Sequence, residues 1–166
     1  MPDKDVHDAF DAVVAGADYP MWVLTTAVED HRAGCLIGFC TQIGIHPRRF
    51  LVGVSKNNHT FRVVSRAAHL ALHLLPAHDI DSARLFGSET GDDIDKFAHC
   101  ESFDGPYGLP ILTAAVGWFA AAIIERHDFG DHTGLLLEPV AASAPPDSAA
   151  VLRYRDVADL PAGHEA

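Results

Sequence analysis

The chain has 166 residues, 48% of them hydrophobic and 21% charged, with a net charge of −11 when histidine is neutral. That length suits a single domain with a real buried core. The acidity argues against nucleic acid, which calls for a basic footprint, and against an anionic membrane surface. No apolar run reaches the roughly 18 residues that a membrane-spanning helix needs. The opening Met1-Pro-Asp-Lys-Asp is too polar and acidic for a secretory signal. Cys35, Cys40 and Cys100 are odd in number and lack CxxC spacing, so neither a disulfide framework nor a structural zinc site is expected. Reduced thiols point to a cytoplasmic protein.

Asp5 to Ala15 predicts a short amphipathic helix, with Val6, Phe10, Val13 and Val14 at helical spacing and Gly16 at its end. A strand follows over Met21-Trp-Val-Leu-Thr-Thr-Ala-Val, and a polar connection over 29–32 sets it antiparallel to the next. That next strand starts at Gly34-Cys-Leu-Ile-Gly-Phe and runs on to the polar pair Thr41-Gln42. After a turn at His46-Pro47, Phe50-Leu-Val-Gly-Val-Ser reads as another strand. It leads through Lys56-Asn57-Asn58-His59 into a short helix over 60–67, with Asn57 or Asn58 as its N-cap.

His69 to Leu75 predicts a strand stopped by Pro76, and Asp79 to Phe86 a helix with Ile80, Ala83, Leu85 and Phe86 inward. Residues 99–110 carry two glycines and two prolines and read as an irregular connection. Ala114 to Arg126 predicts a long strand, with a polar hairpin at 127–131 and an antiparallel partner over 132–140. Residues 141–149 read as loose, 151–155 as a last edge strand, and the tail from about 156 as flexible. About six strands with two or three short helices imply an antiparallel β-barrel with helical inserts.

Three stretches carry candidate chemistry. Ser55, Lys56, Asn57, Asn58 and Thr60 surround a helix start, where free N–H groups, a cation and hydroxyls suit a phosphate; an ordinary cap with a solvated lysine explains the same residues. Gly38 in a β-rich run suggests a bulge or the close approach of a ligand, with packing as the plainer alternative. His132, after Gly130-Asp131, is placed to titrate against a bound substrate if it does not simply sit in a solvated turn. His69 and His73 fall in a strand, about 13 Å apart by strand rise, so they do not form a metal pair. Neither a phosphate-binding glycine loop nor a nucleophile elbow is present.

The order WVLTT, GCLIGFCTQIGIHP, FLVGVSKNNHT, HLALHLL, ARLFG and FGDH followed by LLLEPV resembles the flavin-reductase-like family across about residues 15–142. The resemblance implies a mainly β split barrel in a single domain, binding FMN or FAD and accepting hydride from NAD(P)H. It implies that Cys35, Leu36, Ile37, Gly38, Thr41 and Gln42 line the isoalloxazine and ribityl chain. Because Leu36-Ile37-Gly38-Phe39-Cys40 replaces a polar run usual in the family, those contacts would be mainly backbone. Ser55, Lys56, Asn57, Asn58 and Thr60 would hold the phosphate, Phe86 would close over one side of the flavin, and His132 would serve as the catalytic histidine near the flavin and the nicotinamide. Homodimers and a partner monooxygenase belong to the same expectation. A non-catalytic flavin- or haem-binding carrier, a deazaflavin-dependent reductase and a cofactor-free interaction barrel stand as alternatives.

Overall fold

The computed structural model describes residues 3–163. Met1 and Pro2, with the last three residues of the expected tail, lie outside them.

The chain opens with helix α1 (Lys4–Gly16), capped by the Asp3 side chain. Strand β1 (Trp22–Val28) follows and turns at Glu29–Asp30 into β2 (His31–Ile37), its antiparallel partner. Strands β3 (Cys40–Ile45) and β4 (Arg48–Ser55) form a second hairpin around the cis His46–Pro47 peptide. Next come α2 (His59–Val64), β5 (His69–Leu74) and α3 (Ile80–Gly87). A small hairpin of β6 (Ser102–Asp104) and β7 (Pro110–Leu112) precedes the long pair β8 (Gly117–Asp128) and β9 (His132–Ser143). A single turn, α4 (Tyr154–Val157), comes last.

Seven strands make one antiparallel sheet in the order β2-β1-β5-β8-β9-β4-β3. The principal core takes Leu24 from β1, Cys35 and Ile37 from β2, Val52 and Val54 from β4, Leu72 from β5 and Leu135 from β9. One cluster can draw on strands from both ends of the order only if the sheet curls around it, as barrels do. Trp22, Phe50 and Phe119 meet edge-on within this interior, at centroid distances of 5.2–5.9 Å. A second core lies outside the sheet, where Phe86 and Ala83 of α3 cover Val23 and Met21 together with Leu152 and Val157.

Several expectations are corrected. The stretch from Gly34 to Gln42 is not one strand. It breaks at Gly38–Phe39, and the chain leaves β1 to pair with β4 as β3. The reason is steric and local: a Cβ on Gly38 would sit 2.6 Å from the Tyr19 ring, and the Gly53 N–H donates to the Phe39 carbonyl at 2.7 Å. The count of six strands rises to nine among the described residues. Residues 141–143 extend β9 rather than starting a loose segment. The edge strand expected over 151–155 reduces to two isolated bridges, Pro20 with Arg153 and Pro76 with Val151, followed by α4. The amphipathic face of α1 is solvent-exposed: Val6, Phe10 and Val13 are 60%, 65% and 74% exposed.

His73 is fully buried in β5. Its Nδ1 lies 2.9 Å from the Val23 carbonyl, which fixes the proton there, and leaves Nε2 buried with no hydrogen-bond partner among the described residues. Burial lowers its pKa from 6.5 to about 4. The unfolded chain therefore binds the proton first, so stability is full above pH 6.5 and falls as pH drops toward 4. Over that window this residue removes up to roughly 3 kcal/mol. In urea melts at stepped pH, His73→Gln, which keeps a donor and cannot charge, is expected to lose most of that acid slope. An unchanged slope would assign it to other groups.

Candidate active-site cleft

The register of β4 against β9 pairs Ser55 with His132 and Gly53 with Gly134. The turn between β8 and β9 is latched to the end of β4, because the Lys56 N–H donates to the Asp131 carbonyl at 2.9 Å and the Lys56 ammonium donates to Asp128 at 2.7 Å. Asp128 in turn accepts from the Gly130 N–H at 2.9 Å. The Lys56 bond holds the Asp128 carboxyl below its ordinary range. His132 is thus carried on a braced turn beside β4. Its Nδ1 is 2.9 Å from the Asp131 carboxylate, whose pKa is lowered chiefly by that contact.

Helix α2 begins where β4 ends. The Asn58 side chain accepts from the Thr60 N–H at 3.1 Å, the N-cap arrangement. At the other end, Arg126 of β8 donates to the Val64 and Ala67 carbonyls at 3.2 and 2.6 Å. Both ends of α2 are therefore pinned, and Asn58 stays fixed with respect to Ser55.

A cleft of about 320 Å³ opens where these pieces meet. One side consists of Leu36, Ile37, Gly38 and Phe39 at the β2–β3 crossover, with Gly53, Ser55, Asn58 and His132. The other consists of Tyr19, Met21, Gly87 and residues of the segment 154–162. A second groove of about 420 Å³ lies on the far side of Phe39, Gly53 and His132, lined also by Cys40, Thr41 and Phe129. The Phe39 and His132 rings, 5.1 Å apart, form the partition between them.

Of the residues singled out from sequence, Leu36, Ile37, Gly38, Ser55, Asn58 and His132 come together in the first cleft. Thr41 lines the second groove. Gln42 is exposed and donates to the Gly44 carbonyl at 3.0 Å. Lys56 faces Asp128, and the Asn57 N–H lies 3.4 Å from the Ser55 hydroxyl. Cys35 and Thr60 are buried at 1% exposure, behind the cleft wall rather than on it. Phe86, also 1% exposed, packs beneath Gly34, where a Cβ would lie 2.9 Å from its ring; Gly87 is the α3 residue that reaches the cleft. Burial raises the Cys35 thiol pKa and pushes that of Cys40 to about 12, so neither is a ready thiolate nucleophile.

Sequence reasoning passed over Phe39, Gly53, Gly87, Tyr19 and the segment 154–162. Gly53 carried a usable signal, a glycine inside a β-rich run, and Phe39 lies over it. The segment 154–162 carried no such signal.

The cleft suits a flat, polar-edged ligand. Gly38, Gly53 and Gly87 expose bare backbone to it. Strand β2 is an edge strand, with no strand on its outer side among the described residues, so backbone donors and acceptors remain for a ring. Ser55 and Asn58 add hydroxyl and amide groups at one end. The isoalloxazine and phosphate of a flavin match that donor set.

Comparison with known proteins agrees with this geometry. The chain belongs to the flavin reductase like domain family, whose model matches residues 15–159. It is 29% identical to the FMN reductase (NADH) RutF of Methylorubrum extorquens over 84% of this chain and 69% of that protein. It is 26% identical to HsaB, the reductase subunit of a flavin-dependent monooxygenase of Rhodococcus jostii, over 66% of this chain and 55% of HsaB. The chain spans about half the length of the first curated relatives it matches. The NADH:FAD oxidoreductase SgcE6 of Streptomyces globisporus superposes with a TM-score of 0.81 at 22% identity, over 91% of this chain and 89% of that one. The fold is that of the split β-barrels of this family.

Lys96 holds the back of the cleft wall in place. It is 4% exposed, and its ammonium donates to the Gly34 carbonyl of β2 at 2.9 Å and the Phe86 carbonyl of α3 at 3.2 Å. Burial lowers its pKa. Lys96→Met leaves both carbonyls without this donor and is expected to cost about 2–3 kcal/mol in urea denaturation at pH 7. A loss under 0.5 kcal/mol would show that water replaces the ammonium.

Proposed function

We propose that the protein is an NAD(P)H:flavin oxidoreductase that binds FMN or FAD in the cleft between the β2–β3 crossover and the end of β4. The observation that carries this reading is the convergence of Leu36–Gly38, Ser55, Asn58 and His132 on one cleft in a chain of this family. A bound flavin supplies the redox chemistry, taking a hydride equivalent from a reduced nicotinamide. The chain's part is placement. The edge backbone of β2 offers hydrogen bonds to the ring, and Ser55 with the pinned Asn58 receives the phosphate end. His132, oriented by Asp131, faces both cavities and positions the second ring against the first. No acid–base dyad is required of the protein for such a transfer.

Relatives include the reductase subunit of a flavin-dependent monooxygenase and the reductase subunit of an N-demethylase, which supports delivery of reduced flavin to a partner oxygenase; a cytoplasmic location is part of the same proposal. A homodimer is part of the proposal. Phe39 and Phe129 at the second groove, and Ile43 and Ile45 further along β3, are each more than half exposed and supply apolar surface for a second copy to cover.

Purified protein mixed with FMN or FAD is expected to oxidise NADH or NADPH, with flavin absorbance near 370 and 450 nm retained after gel filtration or quenched fluorescence on titration. Protein that neither binds flavin nor consumes reduced nicotinamide would overturn the proposal. Ser55→Ala and Asn58→Ala are expected to weaken FMN binding about tenfold or more while riboflavin binding changes less than threefold. Equal losses for both ligands would remove the phosphate from that end. Sedimentation equilibrium is expected to return twice the 17.9 kDa chain mass, and Ile45→Asp to reduce it toward one.

A further inference from the structure

Resting on the flavin reading of the cleft, we propose that the segment from Ala158 to Gly163 is a retention strap: it forms the wall that must open for flavin to leave, and so sets how long flavin stays. The rest of the cleft is built from rigid pieces. Its first side is carried by β2, β4 and β9, whose ladders continue into the sheet, and by α2, pinned at both ends. The base of the second side is equally fixed. The Leu152 N–H donates to the Leu75 carbonyl at 2.9 Å, and the Tyr154 N–H to the Tyr19 carbonyl at 2.9 Å. The Arg155 N–H donates to Asp18 at 2.9 Å, and Leu152 and Val157 are buried in the second core. The Tyr154 ring stacks on Tyr19 at 4.9 Å, and Tyr19 itself presses on Gly38.

Beyond Val157 the attachments thin out. Ala158, Asp159, Pro161 and Ala162 are exposed, and Leu160 is half-buried against the second core. The Leu160 N–H closes a turn back to Val157 at 3.0 Å. Among the described residues, the strap's far end is held by a long bond from the Gly163 N–H to the Gly87 carbonyl at 3.3 Å. Gly163 lies so close to the chain just after α3 that a Cβ there would meet the Glu89 carbonyl oxygen at 3.0 Å. Yet Leu160, Pro161 and Ala162 line the same cleft as Gly38, Ser55 and His132. Among the described residues this segment has few buried contacts and few hydrogen bonds, and such a segment opens locally far more readily than the sheet it faces. Opening it exposes the cleft along its length without breaking a strand pair.

The test is flavin release. Wild type, Leu160→Ala and Gly163→Val are loaded with FMN, and dissociation is followed by stopped-flow fluorescence against a flavin-scavenging apoprotein. Hydrogen exchange of residues 158–163 is measured with and without FMN. Leu160→Ala removes the anchor, and Gly163→Val drives a side chain into the backbone of Ser88 and Glu89 just after α3. Both are expected to speed release at least tenfold with melting temperatures within about 3 °C of wild type, and FMN is expected to slow exchange across 158–163 in wild type. Release within twofold of wild type in both variants, or strap exchange indifferent to FMN, would overturn the strap while leaving the flavin reading intact. Wild-type protein that binds no FMN would overturn the flavin reading itself, and the strap with it.

Discussion

The structure depends on one crossing. Strands β2 and β3 are neighbours in sequence and opposite edges of the sheet, and only two residues, Gly38 and Phe39, join them. Two residues reach less than about 11 Å. The two edges must therefore lie close together, and a seven-stranded antiparallel sheet can bring its edges together only by curling. The interior cluster that mixes Leu24, Ile37, Val54 and Leu135 is the packing consequence of that constraint. The cleft is its functional consequence, because edges that approach without pairing leave backbone groups facing a gap.

The crossing is held from both sides by close contacts that only small residues allow. Phe39 binds β4 through its carbonyl, and Gly38 lies under the Tyr19 ring, so the N-terminal approach to β1 and the C-terminal end of β4 meet there. Behind it, Lys96 ties β2 to α3 through two carbonyls in a dry setting, where such charge-assisted bonds are stronger than at the surface.

Much of this was legible in the sequence. Alternation and β-branched residues located β1, β2, β4, β5, β8 and β9 to within a few positions, and the pair Asn57-Asn58 announced the start of α2, which Asn58 caps. The residues joined in the cleft from 36–38, 55, 58 and 132 followed from the order of the segments. What could not be read was direction change inside an apolar run. Leu36 to Gln42 has no proline and no polar cluster at its break, since the break is made by Tyr19 and β4 pressing from outside. The placement of Phe86 failed for a related reason. Phenylalanine near a strand edge suits a ligand or a core equally well, and Gly34, by leaving room beneath it, decided for the core. The segment after 150 was hardest, because its contacts with 18–21, Leu75 and Gly87 are all distant in sequence and short in extent.

Phe39, Gly53 and His132 line both cavities. A shared partition makes the two compartments mechanically dependent: enlarging one by trimming Phe39 enlarges the other, and a change at Gly53 crowds both. Ligands held on the two sides would therefore share contacts through these residues without any larger rearrangement of the barrel. Affinities for the two occupants are then linked quantities, and evolution has little freedom to tune one without disturbing the other.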